Sequence, residues 1–356
     1  MNIHLFFWLT FIITYIVVFI IDMYFTNHRK GIMSVKTALR WTSLWVAVAL
    51  LYGLSIFLFY PQNSDSAVVT STVMGVKFIS GYLTEYSLSI DNLFVFIMIF
   101  SLMGVCEKNQ PKLLKLGILL SIVLRIVFIF VGMELVERFS WIIYMFGLIL
   151  IVTAYKMAFS KSDDHVNPKN NFLYKGASKL FPVDSDPDTS SFFSRRDGKI
   201  YITSFLLVFL VIGSTDVLFA VDSIPAIIGV IKEGAQEVLT LKEENFLAIT
   251  SNVFAVMGLV SLFFALKGIM GMFRYLKTGV SFILFFIGAK MLLCAIPEVQ
   301  KIFSDNSWLS LAVILFSLLF SILLSTVIKE KSHDSDEQGR NTFVEMEQER
   351  IKNTTP

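Results

Sequence analysis

Four carboxylates interrupt stretches of sequence that are otherwise almost wholly apolar, and they come in two pairs of one layout. Glu85 and Asp91 lie in Glu-Tyr-Ser-Leu-Ser-Ile-Asp-Asn, and Asp216 and Asp222 in Asp-Val-Leu-Phe-Ala-Val-Asp-Ser. In each, an acid is followed six residues later by Asp and then by a small side chain with an oxygen, Asn92 or Ser223. A carboxylate at the centre of a bilayer costs about 2.5–3.5 kcal/mol on insertion scales, so four are tolerable only if protonated or partnered. Thr250 and Asn252 add further oxygen donors, and no His or Cys stands nearby at ligand spacing. Such a hard donor set suits Mn²⁺, Mg²⁺ or Ca²⁺ better than Zn²⁺ or Cu²⁺. The structural alternative is that the acids pair with Arg125, Lys156 and Lys290 to lock helices together, with Asp22 as a further supporting charge at the end of the first apolar stretch.

The elements that position these residues follow from composition. Of 356 residues 55% are hydrophobic and only 16% charged, against about 25% charged in a soluble domain, and the mean hydropathy is +0.70. A disordered chain is excluded, and a water-soluble globule would have to bury helices that are apolar on every face. The formal charge of +2 gives no basic excess for nucleic acid. Cys106 and Cys294 form no CxxC pair or disulfide framework. With roughly 20 apolar residues needed per crossing, nine spans are expected, about 5–25, 38–60, 71–104, 114–136, 139–159, 201–231, 246–267, 276–296 and 307–328. The chain therefore reads as an all-α polytopic membrane protein in contact with lipid.

Lys and Arg resist translocation, so their distribution sets orientation. One alternating set of connections holds fourteen of them and the other four, which places the N-terminus outside and the C-terminus in the cytoplasm. Residues 160–200, with Pro168, Pro182, Pro187 and mixed charges, read as a cytoplasmic loop able to contact a protein partner, and 329–356 as a disordered tail. Lys77 and Lys267 read as interfacial anchors. No catalytic constellation is present, and no Gly-x-Gly-Asp motif accompanies the aspartates.

The acidic pairs belong to a longer duplication. Arg125 precedes Val127-Phe128 and Gly132 in one copy, while Asn252 precedes Val253-Phe254 and Gly258 in the other; Lys156-Met157 and Lys290-Met291 close the two. Copies at 71–159 and 201–296, three spans each, must cross the membrane in opposite senses, as inverted transporter repeats do. The remaining parts are two N-terminal helices within 1–70 and a last helix within 297–328. On a continuous helix positions i and i+6 lie about 120° apart and about 9 Å along the axis. A shared site for Glu85 and Asp91 would then need local unwinding, for which Gly81, Gly213 and Pro225 are the expected break points.

At these residues the chain resembles the TerC family of bacterial integral membrane proteins, especially its Alx-like branch. The matching stretches are 81–96, 123–132, 216–226, 250–259 and 287–292. The resemblance implies a bacterial inner-membrane protein associated with tellurium resistance and manganese export, with Glu85, Asp91, Asn92, Asp216, Asp222 and Asn252 in the ion path. Two positions depart from the family's pattern: Gly213 stands where relatives have Glu, and Val260 where they have Arg. Loss of one acid and one base together is what removal of a mutual structural ion pair would look like. The expected function is divalent cation transport, Mn²⁺ efflux by alternating access, with no permanently bound cofactor. The alternative is a non-transporting membrane partner that assists metallation or insertion of exported proteins.

Overall fold

The computed structural model describes residues 3–24, 34–60, 70–159, 171–184, 189–196, 199–232, 239–269, 275–293, 295–306 and 308–327. The expected tail at 329–356 lies outside them. Two helices open the chain, α1 (Ile3–Tyr24) and α2 (Val35–Phe59), the latter capped by Ser34, whose hydroxyl accepts from the Thr37 amide. Three long helices follow, α3 (Thr70–Leu102), α4 (Gln110–Arg138) and α5 (Ile142–Phe159). After a small extramembrane unit come α7 (Ser204–Lys232), α8 (Leu241–Val256), α9 (Leu259–Ile269) and α10 (Leu276–Leu293). A short amphipathic helix α11 (Pro297–Asp305) and the apolar α12 (Trp308–Val327) complete the described chain, dividing the expected last segment in two.

Seven of these helices are long and apolar enough to cross a membrane, eight if the bent pair α8–α9 is one span. The helix at the eighth expected place, α10, stands outside that count. It is nonetheless packed along α5 and against α12. There Gly147 and Gly288 bring the two backbones together: a Cβ on Gly288 would lie 2.7 Å from the Gly147 carbonyl oxygen.

Two expectations are corrected. First, α3 and α7 are continuous, with Pro225 inside α7, so the acidic helices are not interrupted. Glu85, Asp216 and Asp222 meet partners from other helices, so local unwinding is not needed to bring these acids to a ligand. The break falls instead between α8 and α9, where Gly258 adopts φ +81° and the axis bends by 43°. That left-handed conformation is natural to glycine alone, and the Trp45 indole packs where a Cβ would stand. Second, 160–200 is not merely a loop. Asn171 caps α6 (Phe172–Leu180), and β1 (Val183–Asp184), β2 (Phe193–Arg196) and β3 (Lys199–Thr203) form a sheet in the order β1-β3-β2, parallel then antiparallel. Thr203 both ends β3 and caps α7, accepting from the Leu206 amide, so the sheet runs into α7 with no linker.

The packing of the expected duplicate units is reciprocal. Equivalent helices touch, α5 on α10, α3 on α7 and α4 on α8, and the crossed pairs α3 with α8 and α4 with α7 pack extensively.

Candidate ion site

The site is built around one guanidinium. On α4, Gly117, Ser121, Arg125 and Gly132 share a face at helical spacing. A Cβ on Gly117 or Gly132 would come within 2.8 Å of Ile212 or Ile228 of α7, so the two glycines, about two turns either side of Arg125, let α4 and α7 approach closely. Arg125 is 2% exposed. Its guanidinium pairs with Glu85 Oε1 from α3 and lies 3.6 Å from Asp216 Oδ1 of α7. It also donates to Ser121 Oγ at 3.1 Å and to Ser223 Oγ at 3.4 Å. Ser89, one turn beyond Glu85, donates to the same Oε1 at 3.2 Å.

The first acid of each copy thus converges on Arg125. Asp222, the second acid of the later copy, does not: turned about 100° from Ser223 on α7, it is half-buried and accepts a 2.7 Å hydrogen bond from Thr153 of α5. Lys156, exposed, lies one turn beyond Thr153 and within electrostatic reach of Asp222. The side chains of Asp91 and Asp22 lie outside the described residues, while Asn92 is half-buried on α3.

Two oxygens of the site are buried and unpartnered, Glu85 Oε2 and Asp216 Oδ2, and Asn252 Oδ1 on the neighbouring α8 is a further buried oxygen without a partner. Asn252 follows Ser251, whose hydroxyl lies against Gly81, one turn before Glu85. Buried oxygens without donors are costly, and unused hard acceptors beside two carboxylates are what a cation would satisfy. Among the described residues no three His, Cys, Asp or Glu side chains gather into a ready cage. Any cation here would therefore complete its shell with Asn, Ser or backbone oxygens and water.

Other expected residues sit elsewhere. Lys290 is buried and donates to Ser310 Oγ of α12 at 3.0 Å, with its ammonium over the rings of Phe286 and Phe303. Lys77 is no interfacial anchor: it is buried and donates to the Val230 carbonyl at 2.8 Å. Lys267 reaches Glu107 Oε1 at 2.8 Å. Gly213 faces Leu120 and Val260 lines a cleft with Ile118 and Ile122, on opposite sides of α4 at 100° per residue. The expected lost pair between these positions is thereby corrected, since α4 stands between them.

Sequence reasoning missed a second charged cluster at the end of the bundle near the C-terminus of α7. Lys232 Nζ lies 2.8 Å from Glu244 Oε2 and 3.0 Å from Glu137 Oε2, with Lys232 and Glu244 both buried. Beside it Thr240 and Glu243 form a capping box, and the Tyr60 hydroxyl donates to Glu243 at 3.3 Å. Burial beside that carboxylate pushes the Tyr60 hydroxyl's pKa well above its usual value. The Thr-Leu-Lys-Glu capping signal at 240–243 was legible in the sequence; the partners of Lys232 were not.

Residues 70–333 match the profile of the integral membrane protein TerC family. The chain belongs to the TerC family. This TerC-family protein is 35% identical over 330 residues to membrane protein STKORF319 of Myxococcus xanthus, covering 92% of this chain and 94% of that one. It is 37% identical over 287 residues to a Photorhabdus laumondii protein provisionally named membrane-bound redox modulator Alx, covering 80% and 85% of the two chains. The Escherichia coli K12 protein of that name is 34% identical over 287 residues, with the same coverage. No solved structure matches.

Proposed function

We propose that this TerC-family protein carries divalent metal cations across the bacterial inner membrane, with Mn²⁺ efflux as its activity. The observation that carries the reading is the convergence of Glu85 and Asp216 from two separate helical units, with one oxygen of each carboxylate buried and unpartnered. The hard donor set supports Mn²⁺ over Zn²⁺, and the family resemblance adds the link to tellurium resistance. The units α3–α5 and α7–α10 act as inverted repeats that rock around this site, with the N-terminus outside and the C-terminus in the cytoplasm. The metal is substrate, not a resident cofactor. The name of the Alx relatives brings redox modulation into view. This chain offers only Cys106 and Cys294 as thiols, and the metal-handling reading accounts for more of its residues.

Purified protein in liposomes, tested in turn with Mn²⁺, Mg²⁺, Ca²⁺ and Zn²⁺, should pass Mn²⁺ faster than empty liposomes. Background flux for all four would overturn the reading. One observation favours the partner alternative: Phe172, Leu180, Phe181, Phe193 and Ile200 are exposed on α6 and the sheet. Replacing Phe172 and Leu180 with Ser separates the readings, because a carrier retains flux while an adaptor loses its cellular phenotype.

A further inference from the structure

We infer that Arg125 is a tethered cation that fills the Glu85–Asp216 site when no metal is bound, so that metal and guanidinium exchange places in each transport cycle. The inference rests on the carrier reading above and explains how an empty carrier returns. A divalent ion bound by the two carboxylates and the Arg125 guanidinium compete for the same oxygens. Glu85 Oε1 and Asp216 Oδ1 already face Arg125, and only Glu85 Oε2 and Asp216 Oδ2 are unclaimed. Positive charges a few ångströms apart in a buried site repel strongly, so the two cations cannot share the carboxylates at full strength.

Arg125 also has somewhere to go. Its Nε is held by Ser121 Oγ on its own helix and its Nη1 reaches Ser223 Oγ on α7, neutral acceptors that remain when the carboxylates turn to a metal. The empty site is therefore closed by the protein's own cation, and two bare carboxylates need not cross the low-dielectric core. A carrier of this kind returns empty without a counter-ion. Removing the guanidinium should spare metal-for-metal exchange, in which the site is never empty, and should stop net transport, which requires the empty site to reorient.

The test compares Mn²⁺/Mn²⁺ exchange with net Mn²⁺ efflux in liposomes for the full-length protein, Arg125→Gln and Ser121→Ala, together with Mn²⁺ binding by calorimetry at pH 8. Arg125→Gln should keep exchange within about threefold of the parent, lose net efflux at least tenfold, and bind Mn²⁺ at least tenfold tighter, about 1.4 kcal/mol. Ser121→Ala removes a resting place for the guanidinium while keeping its charge, so it should shift binding the other way. A merely structural Arg125 predicts weaker binding and parallel loss of both fluxes in Arg125→Gln, and that result overturns the inference. Net efflux at the parent level in Arg125→Gln overturns it too while leaving the carrier reading intact. Absence of both fluxes in the parent protein is the distinct result that removes the carrier reading itself.

Discussion

Replacing Lys232 with Met would destabilise the protein by about 3–5 kcal/mol, and adding Glu244→Gln to it would recover most of that loss. Lys232 Nζ lies 2.8 Å from Glu244 Oε2, and both side chains are almost fully buried. At an effective dielectric of about 20 the attraction at that distance is about 6 kcal/mol, offset by the desolvation of both ions. The net worth of the pair is therefore small, but removing one partner leaves a buried charge uncompensated, which typically costs 3–5 kcal/mol. Met keeps the apolar stem, so little of the loss comes from a cavity. Glu137 contributes less because it is more than half exposed. The assay is reversible unfolding in detergent or bicelles, following the parent, the single variant and the double variant. A single variant within about 1 kcal/mol of the parent would refute the reasoning. So would a double variant no more stable than the single one, since the loss would then not come from a stranded Glu244.

Gly258→Ala should cost about 1–2 kcal/mol for the left-handed backbone alone, and more because Trp45 occupies the Cβ position; thermal unfolding in detergent reads this directly. Gly213→Glu and Val260→Arg should each destabilise, and combining them should bring no rescue, because α4 separates the two positions; a double variant more stable than either single one would show that the charges meet. Asp216→Asn should abolish Mn²⁺ efflux at unchanged protein level, since it removes half of the converging pair. Asp222→Asn should abolish it as well, and undiminished efflux would restrict Asp222 to its hydrogen bond with Thr153.

The carboxylates were legible because a charge in an apolar run is rare, and the duplication was legible because it repeats rare residues at similar spacing. Their partners were less so. Periodicity says that Glu85 and Asp91 face different ways, but not that Glu85 meets Asp216 through an arginine on a third helix. Gly81, Gly213 and Pro225 resembled break points, yet each serves elsewhere or is absorbed: Gly81 admits Ser251, Gly213 admits Leu120, and Pro225 lies within α7. The actual break at Gly258 carried no stronger local signal than these, since only the fit of Trp45 and the positive φ distinguish it. Lys77 illustrates the same limit, because an anchor at the interface and a buried donor to Val230 look identical in sequence.

The extramembrane unit has a mechanical consequence. Its residues 189–192 are laced to α4 through Asn109 to the Thr189 carbonyl at 3.1 Å and Lys112 to the Ser190 carbonyl at 2.7 Å. They are joined to α7 through tilted ring contacts of Phe192 with Phe205 and Phe209, while Asn171 reaches Ser214. It straps one half of the bundle to the other at this end, as Lys232 rivets α7 to Glu137 of α4 and Glu244 of α8 at the opposite end. The two fastenings differ in kind. Water can replace the strap's hydrogen bonds at a net cost of about 0.5–1.5 kcal/mol each, whereas nothing in the interior replaces the partner of a buried ion. With α4 and α7 tied at both ends and Arg125 lying between the ties, neither helix slides along the other without releasing one of them.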